Sequence, residues 1–247
     1  YFVDDKLVRV KKNGKYGLYD LSGKQLSAPR FDDMTNFYED RAWVEINGMW
    51  GFINKDGVLL ISPKYTMANR FMEGLAWVRS VSDLYGYVNK DGEEVVYPMY
   101  DDAQSFHEGL AAVKTYMEGG KLTYIYINKK GDIVVNNIGV PIDDAYPFGN
   151  GYAKVRSGIR YGLIDKTGRT VIPLIYEDMG VLSDSMIAVK DGGKWGYEKL
   201  YFDSTYKTHM GFLAIPFRFD EAADFYKGEA RVKSGDTYYI NKKGEYI

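Results

Sequence analysis

The chain has 247 residues, 45% of them hydrophobic and 27% charged, which suffices for a sizeable core in one or two domains and excludes wholesale disorder. Its 32 basic and 34 acidic side chains leave a net charge of −2, so no long-range field steers it to nucleic acid or to an anionic membrane. There is no Cys, which removes disulfides and thiolate metal sites, and no apolar run reaches the roughly 18 residues of a membrane-spanning helix.

Tyr1 stands where an unprocessed chain would carry Met, an expectation of trimming that favours export. The 23 Tyr and 12 Phe favour strands, and the first such element is "KYGLYDLSG" at 15–23. The same pattern returns as "MWGFINKDG" at 49–57, "LYGYVNKDG" at 84–92 and "RYGLIDKTG" at 160–168. Each reads as a strand ended by a tight turn, with Asn or Asp tolerating and Gly supplying positive φ. The Gly after the aromatic residue lacks a Cβ, so it lets a neighbouring sheet or ring approach the backbone. Turn glycines fall at 23, 57, 92, 131, 168 and 244, spaced by 34, 35, 39, 37 and 76, the last being two periods.

Three further columns hold the register. An Ala-x-Val strand precedes the aromatic-Gly strand at Ala42/Val44, Ala76/Val78, Ala111/Val113, Ala153/Val155 and Ala230/Val232, with Val8/Val10 and Ile187/Val189 as variants. These strands are apolar on both faces, as expected where sheets pack on either side. Pro29, Pro63, Pro98, Pro173 and Pro216 end a third strand such as "VVYP" at 95–98, whereas the fourth copy has no proline there and Ile125 in place of Gly. A return segment follows with an apolar residue at every third position, as in Tyr65/Ala68/Phe71, which fits a helical turn or an irregular fourth strand. The units run 1–37, 38–71, 72–106, 107–148, 149–182, 183–225 and 226–247 within a single repeat domain, and no long helix pattern occurs.

Aromatic-Gly strands with "NKDG" or "DKTG" turns, preceded by "EGLAWV" at 73–78 and followed by "IPLIY" at 172–176, resemble the WG repeat family of bacterial proteins along essentially the whole chain. The resemblance implies a repeat scaffold on bacterial surfaces or in envelopes and carries no shared catalytic residues. The fold expected is all-β: seven tandem antiparallel meanders of roughly 35 residues stacked face to face, because one such unit cannot bury both apolar faces alone. If the return segment is a strand, seven units suit a propeller-like ring, which is preferred here; the alternative is an open superhelical solenoid.

Acid pairs recur at Asp32/Asp33, Asp101/Asp102, Asp143/Asp144, Glu177/Asp178 and Asp220/Glu221, but a catalytic pair should be unique, so turn capping is the simpler reading. Lys55, Lys90, Lys129, Lys130, Lys166, Lys242 and Lys243 mark the hairpin tips as a solvated surface. The position between Ala and Val holds Arg9, Trp43, Trp77, Ala112, Lys154, Ala188 and Arg231. A column that accepts Trp, Arg and Lys could stack a sugar or another planar ligand, or else fill space between sheets. Where the repeat is broken, the segment 198–214 gathers Tyr201, Phe202, Tyr206 and His209, and a second irregular loop is "TYMEGGKLT" at 115–123.

The function expected is a non-enzymatic scaffold or recognition module for a protein or glycan partner, outside the cytoplasm, with no cofactor and no metal. Its candidate binding residues are Trp43, Trp77, Arg9, Lys154, Arg231, Tyr201, Phe202, Tyr206 and His209. One alternative is a glycan hydrolase using acids from the breaks in pattern, such as Glu198 and Asp203. Another is self-assembly, since an open stack would present unpaired strand edges from which a homo-oligomer could grow.

Overall fold

In the computed structural model, which describes residues 2–205 and 208–247, all regular structure is β and forms seven antiparallel sheets in chain order. The second sheet shows the plan: Asp33–Met34, Arg41–Ile46, Met49–Asn54 and Leu59–Tyr65 lie side by side in that sequence. Such an up-and-down, four-stranded sheet is the form of a propeller blade. The seventh sheet has three strands, Glu221–Ala222, Glu229–Ser234 and Asp236–Asn241.

The return segment is strand rather than helical turn. A two-residue strand is followed by a tight turn with both central residues at positive φ, as at Glu73 (φ 53) and Gly74 (φ 86), closed by reciprocal bonds between Met72 and Leu75. The short strand pairs with the first long strand of the next sequence unit, as Met34 does with Val44, so each sheet begins one segment ahead of its sequence unit. Phe2–Asp4 plays this part for the first sheet, pairing with Leu7–Lys12.

The chain divides into two compact units, Tyr1–Thr115 with Ile127–Asp132, and Tyr116–Tyr126 with Ile133–Ile247. Within each, the core lies between successive sheets. Leu18 and Phe31 pack with Met34, Val44 and Ile53 in the first unit, and Met186 and Tyr197 pack with Phe225, Val232 and Ile240 in the second.

The turn glycines have the positive φ expected of them, as at Gly57 (φ 76) and Gly92 (φ 92), but the glycine after the aromatic residue makes room for its own sheet and not for a neighbouring one. A Cβ on Gly51 would lie 2.3 Å from the carbonyl oxygen of Ile61 and 2.8 Å from the nitrogen of Pro63, both in the adjoining strand of its own sheet. Pairing there jumps from Trp50–Tyr65 to Phe52–Ile61, so the proline strand bulges over the glycine and runs past the proline instead of ending at it. The same crowding meets Gly17, Gly86, Gly162 and Gly196. Contact with a neighbouring sheet belongs to the turn glycine: a Cβ on Gly92 would stand 2.9 Å from Ile61 Cγ1, and one on Gly168 2.8 Å from Val135 Cγ1. In these turns the leading side chain caps the backbone, as Asn54 Oδ1 accepts from the N–H groups of Asp56 (3.1 Å) and Val58 (2.9 Å).

Candidate functional site

The variable column between Ala and Val and the aromatic-Gly strand beside it share a clasp between sheets. At six successive steps a side chain donates a hydrogen bond to a carbonyl in the next return segment. Arg9 reaches Met34 O and the Trp43 indole N–H reaches Asn69 O; Tyr87 reaches Gln104 O at 2.6 Å. Tyr126 reaches Tyr146 O, Lys154 reaches Met179 O and Tyr197 reaches Ala223 O, each at 2.8 Å. The donor comes from one of two cross-strand partners: from Arg9, Trp43 or Lys154, opposite Leu18, Phe52 and Leu163, or from Tyr87 or Tyr197, opposite Trp77 and Ala188. That alternation explains why one column tolerates Arg, Trp, Lys and Ala. Each such bond is worth about 0.5–1.5 kcal/mol net.

This overturns part of the ligand-binding expectation. Trp43 is 4% exposed, stacked 6.4 Å from Phe71, so no ligand can lie on its ring. Trp77 is half-buried and edge-on to Tyr85 at 5.4 Å. Arg9 lies over the Tyr16 ring at 5.3 Å, and Arg231 is exposed in the seventh sheet. The column does not gather its members at one site: Lys154 faces one cavity in the fifth and sixth sheets, and Arg231 a different, smaller one in the seventh.

The acid pairs are structural. The first acid accepts an N–H from a loop of the following sheet, Asn47 to Asp32 at 2.9 Å and Gly158 to Asp143 at 2.6 Å. The second caps its own short strand, Met34 N–H to Asp33 at 2.7 Å and Ala103 N–H to Asp102 at 2.9 Å. Lys15, beside Asp32, holds that carboxyl below the usual carboxylate range. Several hairpin-tip lysines pair with acids of the return turns: Lys55 with Asp40 at 2.7 Å, Lys90 with Glu39 and Lys129 with Glu73, both at 3.1 Å. Exposed pairs of this kind add little, about 0–1 kcal/mol each.

What remains is the break in the repeat. Lys194–Asp203 and Thr208–Phe219 form a hairpin of 10- and 12-residue strands, longer than the other strands. The pairs Tyr201–Met210 and Phe202–His209 extend it beyond the sheet. His209 stands edge-on to Phe202 at 5.3 Å and to Tyr152 of the fifth sheet at 6.0 Å. A pocket of about 430 Å³ opens there, with Tyr152, Tyr201, Phe202 and His209 supplying rings and Asn150 and Asp184 supplying polar groups. Tyr206 lies outside the described residues. Asn150 and Asp184 come from return turns at positive φ (54 and 56), and spacing alone could not bring them to the hairpin. The loop at 115–123 lines a separate groove of about 450 Å³ through Met117, Glu118 and Lys121, opposite Asn136 and Asn137.

Glu198 and Asp203 do not make a glycosidase pair. They lie five residues apart on one strand, so they point to opposite faces and are separated by roughly 16 Å along it; such carboxyl pairs stand about 5–9.5 Å apart. Glu198 is buried, and the Tyr176 hydroxyl donates to its Oε1.

The WG containing repeat matches residues 16–50, 50–80, 85–116, 161–195 and 210–238, well over half of the sequence. The chain belongs to the WG containing repeat family. The stretches outside the matches include residues 117–160, where the WG repeat has lost its glycine and its proline strand. Among curated proteins the sequence finds no match. Among solved structures, a crystal structure of the eukaryotic initiation factor aligns over 97% of this chain and 72% of its own, with a TM-score of 0.52 at 9% identity. BamB from Moraxella catarrhalis aligns over 97% and 86%, with a TM-score of 0.42 at 12% identity. The WD40 β-propeller domain of Doa1 aligns over 96% and 89%, with a TM-score of 0.35 at 11% identity. The initiation factor shares the fold alone with this WG-repeat chain.

Proposed function

We propose that this WG-repeat chain is a non-catalytic recognition scaffold that holds a glycan in the pocket beside its overlong hairpin, in the bacterial envelope or on the cell surface. One observation carries the reading: where the repeat is broken, exposed rings converge with an amide and a carboxylate around about 430 Å³. Aromatic faces suit the apolar faces of a sugar ring, and Asn150 and Asp184 suit its hydroxyls. Phe202 (57%), Tyr201 (41%), Phe212 (46%) and Leu213 (41%) are exposed on the hairpin, apolar surface that a partner would cover. The regular repeats spend their polar groups on caps and clasps, which supports a scaffold that presents its irregularities. The family resemblance supports the compartment.

Titration with a panel of soluble oligosaccharides and extended peptides tests the reading. The expected result is binding of at least one glycan, weakened several-fold by Phe202→Ala and by Tyr152→Ala. Peptide binding in its place would move the partner class to protein, and an unchanged affinity in both variants would remove the site.

A further inference from the structure

A second cavity in the second unit arises from a different break in the repeat. At four steps a ring on the aromatic-Gly strand meets the Phe of the next return segment: Phe52–Phe71 and Tyr87–Phe106 at 4.8 Å, Tyr126–Phe148 and Tyr197–Phe225 at 4.9 Å. At the step from the fifth to the sixth sheet both positions are leucine, Leu163 and Leu182, and Gly180 occupies the place held elsewhere by Thr35, Asn69, Gln104, Tyr146 and Ala223. The volume of the missing ring pair is left open. A cavity of about 320 Å³ stands there, lined by Tyr146, Tyr152, Lys154, Leu163, Leu182 and Ile187 among others.

Its walls are mostly apolar; Asn150 contributes an amide, and Lys154 is the charged side chain that lines it. That ammonium gives one N–H to Met179 O at 2.8 Å and lies 4.2 Å from the centre of the Tyr146 ring and 5.4 Å from that of Tyr161. An ammonium has three N–H groups, so two are left for other acceptors. Burial holds its pKa below the ordinary lysine value, against the opposing charges of Asp178 and Asp224. The Asp224 carboxylate is itself engaged, accepting the Val181 N–H at 2.8 Å. A cation facing an apolar, ring-sized space is complementary to one kind of molecule.

We propose that this cavity binds a small planar aromatic carboxylate, whose ring replaces the missing ring pair and whose carboxylate meets the Lys154 ammonium. The site adjoins the hairpin pocket, sharing Asn150, Tyr152 and Leu182 with it, but takes a ligand of different chemistry and does not depend on the glycan reading.

The probe is 2-naphthoate, with 2-naphthylmethanol as its neutral counterpart, titrated calorimetrically into the whole chain. The expected result is that the wild type binds naphthoate about tenfold or more tightly than the alcohol, the margin of a charge-assisted hydrogen bond. Lys154→Met should erase that margin while leaving the alcohol's affinity in place. Leu182→Phe, which restores the residue found in the other return segments, should abolish binding of both with an unchanged or higher Tm. Because Lys154 also clasps Met179, a circular-dichroism melt accompanies its variant; if that variant does not fold, Leu182→Phe decides. Equal binding of acid and alcohol by the wild type, no binding at millimolar naphthoate, or wild-type affinity in Leu182→Phe would each overturn the proposal.

Discussion

At the scale of single residues, Glu198 is a buried carboxyl that its neighbours satisfy on one oxygen. It is 5% exposed; its Oε1 takes the Tyr176 hydroxyl, and its Oε2 has no hydrogen-bond partner among the described residues and lies against Gly211. Burial lifts its pKa above the usual glutamate value of 4.5, and the Tyr176 bond only partly counters this. A carboxyl whose folded pKa exceeds its unfolded one supports the fold fully below the unfolded value and loses that support as pH rises through the folded one. Glu198→Gln keeps an acceptor for Tyr176 without the buried charge. It should therefore raise Tm at pH 7 and flatten the decline in stability above pH 4.5. A Tm–pH curve superimposable on that of the wild type would refute the assignment.

At the scale of the element, the bulged proline strand and the glycine beneath it act together. Gly51→Ala would drive a Cβ into the Ile61 carbonyl, a backbone atom that cannot rotate away, and should cost about 1–3 kcal/mol in denaturant melts. In the fourth sheet the same column holds Ile125, 1% exposed, with no bulged strand over it: that sheet's last strand is only Ile133–Val135. There the sign reverses, and Ile125→Ala should cost about 2–5 kcal/mol as a cavity. Should alanine be tolerated equally in the second and fourth sheets, the coupling is wrong. Much at this scale was legible in the sequence: strand pairs, turn caps and the acid pairs follow from period and turn chemistry. The role of the aromatic-Gly glycine was not, because sequence shows that a Cβ is missing but not which backbone fills its place. Nor was the clasp column, since its donor alternates between two residues on different strands and looks like tolerance when either is read alone. The hairpin site was half legible: Tyr201, Phe202 and His209 mark a break in the pattern, whereas Tyr152, Asn150 and Asp184 sit in regular repeats and join only through folding.

At the scale of the whole molecule, a chain of similar sheets joined by similar clasps should have a stability that sums local terms. Tyr87→Phe in the first unit and Tyr197→Phe in the second each delete one hydroxyl-to-carbonyl bond, with no shared partner. Each should cost about 0.5–1.5 kcal/mol, and the double variant should cost their sum to within about 0.5 kcal/mol. A clear departure from additivity would show that the two steps are energetically coupled. The near balance of 32 basic and 34 acidic residues adds a related expectation, that partner binding relies on shape and ring faces more than on ionic strength.

The overlap between Gly51 and the strand above it also constrains how such a module can decay over generations. While the kinked strand persists, almost any replacement of that glycine is punished, so drift must first dismantle the strand and only afterwards fill the vacated space with a side chain. The Ile125 copy, short of its proline, has the form expected after both events. Degenerate copies in kindred chains should accordingly lose proline alone or both together, and hardly ever glycine alone.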